Sequence, residues 1–428
     1  MTYTEALSYI HNINWQFCNP GLSRTRALCE KLGNPEKKLR FIHVAGTNGK
    51  GSFCAMLAAI LSAAGYKTGL YTSPFIRRFN ERMQIDGACI GDEELAEITS
   101  YIRPFADSMD EKPTEFELVT AIGFEYFCRH ECDVVVLETG LGGRLDSTNV
   151  IESSLLSVIT GIDFDHTALL GNTIQAIARE KAGIIKHGCP CLYGSQDAAA
   201  LRTIRAVAHE KNAPFYAVDR STLRVKSLTL DGTVFDYEDY TDLSLSLLGT
   251  YQPLNAATVL TAVRILCEQG DLAISESAIR KGLSTVAWPA RFELLNRELP
   301  ILYDGGHNAQ GISAAVESIR TYFPGQTVNL LTGVMADKGY DEMIEKLKPI
   351  AAHVFTVCPG GARALSAEDY AKHFVMHHIE ATAHETVEAG VRAAVLDSRE
   401  KGIPLVCLGS LYLYLSATEA LQKVLGGD

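Results

Sequence analysis

Apolar residues along this chain gather in short, β-branched runs that stop abruptly at glycines or polar residues, and these runs alternate with stretches of helical spacing. Phe41-Ile42-His43-Val44-Ala45 breaks into Gly46-Thr47-Asn48-Gly49-Lys50-Gly51-Ser52, after which Met56, Ile60 and Ala63 share one helical face. A second strand, Thr68-Gly69-Leu70-Tyr71, ends at Thr72-Ser73-Pro74. Val134–Glu138 reads as a fully buried strand closed by a carboxylate, and 155–160 as another, running toward Asp163-Phe164-Asp165-His166. Residues 173–186 predict a helix with a stripe of Ile174, Ile177, Ala178 and Ile185, and Lys181 falls on that stripe. Ahead of all this, residues 1–40 look mainly helical, with Leu28, Cys29 and Leu32 on one face before Gly33-Asn34-Pro35. Residues 19–24 read as a loop from their turn chemistry.

The second half changes period. Leu223, Val225, Leu228 and Leu230 alternate up to Asp231-Gly232, and a second alternating stretch follows, which predicts antiparallel hairpins over 222–248 decorating a parallel sheet. Gln252-Pro253 opens a helix. The pattern resets at Trp288-Pro289-Ala290-Arg291. Strand-like 300–304, 328–333, 353–357 and 404–409 are then separated by helical segments, a second and smaller parallel α/β unit. A linker is expected near 287–298, with domains of 1–290 and 291–428.

At 428 residues two domains are the natural expectation. A chain that is 47% hydrophobic and 21% charged, with no apolar run long enough to span a bilayer, reads as soluble. The first residues have neither the basic start nor the apolar core of a signal peptide, and the eleven cysteines form no zinc-like pairs, so a reducing cytoplasm is expected. A net charge of −12 argues against general nucleic-acid binding, but not against small anions held by a few arginines such as Arg77, Arg78 and Arg82.

The candidate chemistry starts at the glycine loop. A strand, a glycine turn and a helix N-terminus together hold phosphates: backbone N–H groups point inward, the helix dipole favours anions, and Lys50 adds a point charge. Ser52 is placed to offer its hydroxyl to nucleotide-bound Mg²⁺. The spacing departs from the standard phosphate loop, because Gly51 intervenes between Lys50 and Ser52. Ser73 closes a strand where open α/β sheets keep their ligands. Glu138, at the end of an apolar strand and ahead of the flexible Thr139-Gly140-Leu141-Gly142-Gly143-Arg144, suits a metal ion. His166 follows a third such strand. Lys181 either snorkels out of its packed face or points inward, where burial lowers its pKa and leaves a reactive neutral amine.

Together the motifs form an ordered set, and the chain resembles the folylpolyglutamate synthase/dihydrofolate synthase family, within the ATP-dependent Mur ligases. The resemblance is carried by Gly46–Ser52, Thr72-Ser-Pro74, Phe79-Asn-Glu-Arg82, Leu137 through Asp146, Asp165-His166, Arg179-Glu-Lys-Ala-Gly183, Asn255-Ala-Ala257, Ala290-Arg-Phe292, Asp304-Gly-Gly-His-Asn308 and Gly409-Ser-Leu-Tyr412. It implies an α/β fold: a Mur-ligase-like P-loop ATPase domain with a parallel central sheet and a small antiparallel sheet, then a smaller Rossmann-like C-terminal domain. It implies that ATP phosphorylates a carboxylate of dihydropteroate or of a reduced folate, and that L-glutamate attacks the acyl phosphate. By similarity Gly46, Thr47, Asn48, Gly49, Lys50, Gly51 and Ser52 cradle ATP, with Asn255, Arg291 and Asp304 on the nucleotide. Ser52, Ser73, Glu138, His166 and Lys181 would serve two Mg²⁺ ions, Lys181 as a CO₂-derived carbamate. Lys50, His166 and Lys181 are the catalytic candidates. Leu22, Ser23, Arg24, Arg82, Thr114, Glu115, Phe116, Glu117, Leu145, Asp146 and Ser147 match the folate or pteroate pocket, and His307 and Ser410 the glutamate site. A site drawn from both domains implies closure during turnover. The family is mostly monomeric, with neither nucleic-acid nor membrane partners.

Some positions depart from the family pattern. Phe75 and Tyr251 stand where histidines are common, and Gly306 where an alanine is. Glu115 replaces an aromatic and Ser23 an acidic residue, near the pterin pocket. Two other readings compete: a Mur-type ligase for a cell-wall nucleotide precursor, and a non-catalytic ATP sensor. About forty residues precede the phosphate loop, too few for the extra domain of the first. The joint presence of Glu138, His166, Lys181, His307 and Ser410 speaks against the second.

Overall fold

The computed structural model describes residues 1–12, 21–361 and 363–426, so Asn19 and Pro20 of the expected early loop lie outside the described residues. The chain divides into two compact units, 1–223 with 254–286, and 224–253 with 287–428. The sequence boundary at 290 divides it differently, because the hairpin strands that were expected to decorate the first sheet belong to the second unit.

The first unit is built on an eight-stranded sheet. Its strands are β1 (Phe41–Ala45), β2 (Thr68–Tyr71), β3 (Met83–Ile85), β4 (Ala88–Cys89), β5 (Val134–Glu138), β6 (Leu156–Ile159), β7 (Cys191–Tyr193) and β8 (Phe215–Ala217). Their order is β4-β3-β2-β5-β1-β6-β7-β8, parallel from β2 to β8 with an antiparallel edge at β3 and β4. β1, β5 and β6 are buried along their whole length, which explains their largely apolar make-up. β1 lies between β5 and β6, so its two faces of connection part at its C-terminal end, where open sheets bind ligands. One core, with Phe41, Tyr71, Phe124 and Leu137, covers one face; another, with Ala45, Ile159, Ile177 and Ile204, covers the other. The helix after the phosphate loop, Lys50–Ala63, is buried almost all round rather than along one stripe. Helix Glu276–Thr285 closes its outer side so tightly that a Cβ on Gly282 would lie 2.6 Å from the Ile60 backbone.

Two expectations are corrected here. The early loop is shorter than read, since Ser23 and Arg24 already belong to helix Ser23–Lys31. The Lys181 helix runs only from Ile174 to Ala182, capped by Thr173, because Gly183 ends it. The outer strands β3, β4, β7 and β8 were not read from the sequence; each is too short to show a period.

The second unit carries β9 (Arg224–Thr229), β10 (Gly232–Tyr237) and β11 (Tyr240–Leu245) as an antiparallel sheet turning at Asp231-Gly232. The antiparallel pairing expected over 222–248 is present, and β9 is largely exposed. Phe235, Tyr237, Leu243 and Leu245 of the other two strands fill the core instead. Its main sheet comprises β12 (Glu293–Asn296), β13 (Ile301–Asp304), β14 (Val328–Thr332), β15 (Ala351–Thr356), β16 (Ala381–Ala383) and β17 (Leu405–Leu408), in the order β12-β13-β17-β14-β15-β16. All pairings are parallel except β12–β13. The stretch expected as a linker therefore contains an edge strand. Among the described residues no helix is long and apolar enough to cross a membrane.

Candidate active site

The phosphate loop is held in shape before any ligand is considered. Thr47 donates its N–H to Gly161 O at 2.7 Å, its hydroxyl lies 3.1 Å from Asp163 O, and Thr160 Oγ1 donates to Asn48 O at 2.8 Å. Any Cβ on Gly46 would overlap Thr160 Oγ1, so only glycine fits there. Gly49, at φ +86°, stands at the N-terminus of helix Lys50–Ala63 in the left-handed conformation. A Cβ on it would come within 2.8 Å of Asn255 Oδ1, which places Asn255 against the loop. Gly51 and Ser52 follow, buried in the first turn. Thr160 was not a sequence candidate; its only sign was a hydroxyl closing the strand beside β1.

Charged side chains from two helices and the end of β5 meet at this loop. Lys50 Nζ donates to Gly46 O at 3.1 Å and to Thr47 O at 3.4 Å, and lies 3.9 Å from Glu138 Oε1. Glu138, only 4% exposed, accepts the N–H of Ser73 at 3.2 Å. Lys181 points inward, 5% exposed, and donates to Gly46 O at 2.8 Å. Burial first, and the neighbouring Lys50 charge second, push the Lys181 amine down to about 7; Asp165 and Asp146 pull weakly the other way. His166 is a left-handed residue (φ +49°) half exposed at the end of the β6 loop, 3.8 Å from the Asp165 carboxylate. A buried carboxylate and a buried hydroxyl at a phosphate loop fit a nucleotide-bound Mg²⁺, which takes part of its oxygen shell from phosphate and water. Among the described residues no three His, Cys, Asp or Glu side chains form a metal cage by themselves.

The expected folate-pocket residues separate into two sets. Arg24, Thr114 and Glu117 are engaged with one another. Arg24 makes a bidentate pair with Glu117 at 2.9 and 2.8 Å, and Thr114 caps its helix in reciprocal bonds with Glu117. Glu115 pairs with His11 at 3.2 Å near the surface. Leu22 is the N-cap of helix Ser23–Lys31 and Ser23 its first residue, without a side-chain cap bond. The second set lines the loop after Glu138. Phe116 packs so close to Gly140 that a Cβ there would strike its ring. Asp146, 6% exposed, accepts the N–H groups of Leu141 and Thr148 at 2.8 and 3.0 Å; burial nonetheless raises its pKa. Ser147 Oγ sits 2.9 Å from Thr120 Oγ1, while Leu145 is exposed. Arg82 lies over the rings of Phe75 and Phe79 at 5.4 and 5.6 Å, with its Nε and Nη1 buried.

The second unit gathers its candidates at the C-terminal ends of β13 and β17. Asp304, 4% exposed, accepts Phe292 N–H at 3.0 Å, Gly306 N–H at 2.8 Å and Tyr251 O–H at 2.9 Å. Burial raises its carboxyl, and Arg291 opposes that rise. Tyr251, where the family carries a histidine, thus anchors a nucleotide-site candidate. Arg291 stands between two non-glycine residues in the left-handed region, Ala290 at φ +57° and Phe292 at φ +49°. Such backbone strain collects where a side chain must be presented. A His307 ring nitrogen lies 3.0 Å from Gly305 O, Asn308 caps helix Ala309–Tyr322, and Ser410 caps the turn after β17 while Tyr303 O–H donates to its carbonyl at 2.7 Å.

Comparison with known proteins bears on the whole chain. Residues 44–263 match the Mur ligase middle domain, and residues 290–411 the Mur ligase glutamate ligase domain. The chain is 41% identical over 377 residues to the dihydrofolate synthase/folylpolyglutamate synthase of Bacillus subtilis, covering 86% of this chain and 87% of the relative. It is 36% identical over 438 residues to the folylpolyglutamate synthase of Lacticaseibacillus casei, covering 100% of each. The structure of Escherichia coli FolC in complex with DHPP and ADP superposes with a TM-score of 0.87 at 30% identity, over 99% of this chain and 98% of that one.

Proposed function

This chain belongs to the folylpolyglutamate synthase/dihydrofolate synthase family of Mur ligases, and on that premise we propose how its residues join L-glutamate to a reduced folate, to dihydropteroate, or to both. It is an ATP-dependent acid–amino-acid ligase. The observation that carries the detailed reading is the convergence of Lys50, Glu138 and Lys181 on the Gly46 carbonyl and the loop around it.

In this reading the acceptor carboxylate attacks the γ-phosphorus of ATP and ADP leaves. The glutamate amine then attacks the acyl phosphate, phosphate departs, and the amide remains after loss of a proton. The chain contributes positioning and charge balance. Loop N–H groups and Lys50 neutralise the phosphates. Ser52, Ser73, Glu138 and His166 would hold Mg²⁺, which when bound supplies further neutralisation of phosphate charge. With its amine near 7, Lys181 is substantially neutral at physiological pH and able to take up CO₂, releasing one proton and becoming an anionic carbamate able to share in a second Mg²⁺. Asn255, Arg291 and Asp304 are assigned to the nucleotide, and His307 and Ser410 to the incoming glutamate. Arg82, Phe116 and the 145–147 turn are assigned to the pteridine substrate. The proposal includes a monomer working in the cytoplasm.

A cell-wall precursor ligase or an ATP sensor is the weaker reading, since the relatives matched along nearly the whole chain are folate ligases. The deciding experiment measures glutamate-dependent phosphate release from Mg-ATP with dihydropteroate and with tetrahydrofolate side by side. Release with at least one acceptor is expected. Absence of release with either would end the proposal.

A further inference from the structure

The loop that follows Glu138 is fitted against the end of the Lys181 helix. A Cβ on Gly143 would lie 2.8 Å from the carbonyl oxygens of both Glu180 and Lys181. Arg144 N–H donates to Glu180 O at 2.8 Å, and a Cβ on Gly183 would meet the Arg144 backbone. The stretch leaving Glu138 and the helix delivering Lys181 are therefore in direct backbone contact.

Asn149 ties that contact together. Its Nδ2 donates one hydrogen to Arg144 O at 3.1 Å and the other to Gly183 O at 3.0 Å. Its Oδ1 accepts from Lys186 Nζ at 2.8 Å, and the same amine donates to the Asn149 carbonyl at 3.1 Å. Asn149 is 6% exposed in the short turn Ser147–Val150. A cation on the amide oxygen polarises the amide and strengthens both N–H donations. The geometry holds together only with asparagine's pattern of two donors and an acceptor on one planar group.

We propose that Asn149 and Lys186 are positioning residues of this ligase: Lys186 orients the Asn149 amide, and that amide locks the Lys181 helix end onto the loop leaving Glu138. The consequence is a fixed placement of Lys181 relative to Glu138 at the phosphate loop. The inference rests on reading those two side chains as site residues. Burial pushes the Lys186 amine down to about 8, with Arg26 adding repulsion, so the charge that orients Asn149 persists at neutral pH.

Asn149→Asp keeps the shape of the side chain but removes both donated hydrogens; Lys186→Met removes the anchor. The test acylates the full chain at pH 7.5 and follows each lysine by mass spectrometry, with the exposed Lys423 as reference. Both variants are expected to raise Lys181 labelling by about 10-fold or more with Lys423 unchanged, and to lower kcat by about 10- to 100-fold while KM for ATP stays within about threefold. Unchanged Lys181 labelling in Lys186→Met, or an unchanged kcat, overturns the proposal. Should Asn149→Asp not fold, Lys186→Met carries the same readings. Labelling needs no turnover, so a chain inactive on every folate and pteroate refutes the functional reading while labelling still decides the clamp.

Discussion

Lys50 and Lys181 donate to the same oxygen: the Gly46 carbonyl accepts the first at 3.1 Å and the second at 2.8 Å. Two ammonium groups on one carbonyl repel each other; Glu138 lies 3.9 Å from Lys50, and Asp165 and Asp146 offset part of the Lys181 charge. Lys181 is the more deeply buried of the two and is the one whose amine falls to about 7.

That shift makes stability depend on pH. An unfolded lysine keeps its proton up to its ordinary value of 10.5, whereas the folded one sheds it near 7. Between those values the unfolded chain binds more protons, so stability rises with pH, and the penalty is fully present below about 7. Lys181→Met, in CO₂-free buffer, should raise the melting temperature at pH 6 by about 2–4 °C, with the gain fading toward pH 10 and activity lost. Thermal denaturation at both pH values checks this; an equal shift at the two would contradict it.

Glu138→Gln should leave the fold intact and lower kcat by at least about 100-fold, because the phosphate loop then carries Lys50 without its counter-charge. The Mg²⁺ concentration for half-activation should also rise. Phosphate release across a Mg²⁺ titration tests both, and a normal Mg²⁺ requirement would remove Glu138 from the metal assignment.

Arg24→Met should act on stability. Glu117 is 5% exposed, and losing its bidentate partner costs about 3–5 kcal/mol. Adding Glu117→Gln should recover much of the loss. A variant with unchanged melting temperature and a raised KM for the pteridine substrate would instead place Arg24 in the substrate pocket.

Asp304→Asn sets an amide N–H₂ among three donors, the N–H groups of Phe292 and Gly306 and the O–H of Tyr251, at a cost of about 1–3 kcal/mol. KM for ATP should rise by about 10-fold as Arg291 loses the carboxylate that balances it. Tyr251→Phe, which deletes a single donor, should cost less on both measures. Melting curves and ATP titrations of the two variants give the comparison.

Glycines, strand ends and helix starts were legible in the sequence because they obey local rules. A glycine loop after β1 needs no distant partner to be recognised, and neither does the carboxylate that ends β5. The helical stripe put Lys181 on an apolar face, although periodicity alone left open whether it would turn inward. The alternation ahead of Asp231-Gly232 was enough to mark the antiparallel hairpin, but a strand's period says that its faces differ, not that one of them will be covered. Short outer strands such as β7 and β8 left no period to read.

By itself, then, the sequence determined the phosphate loop, the order of its elements and the motif set that marks the family, all consequences of backbone sterics and nearest-neighbour pattern. Only the tertiary structure decided the fate of each charge. Arg24 finds Glu117 across 93 residues and Lys181 finds Gly46 across 135. Whether a buried ion is paired, neutral or poised depends on partners that only folding brings within hydrogen-bond distance.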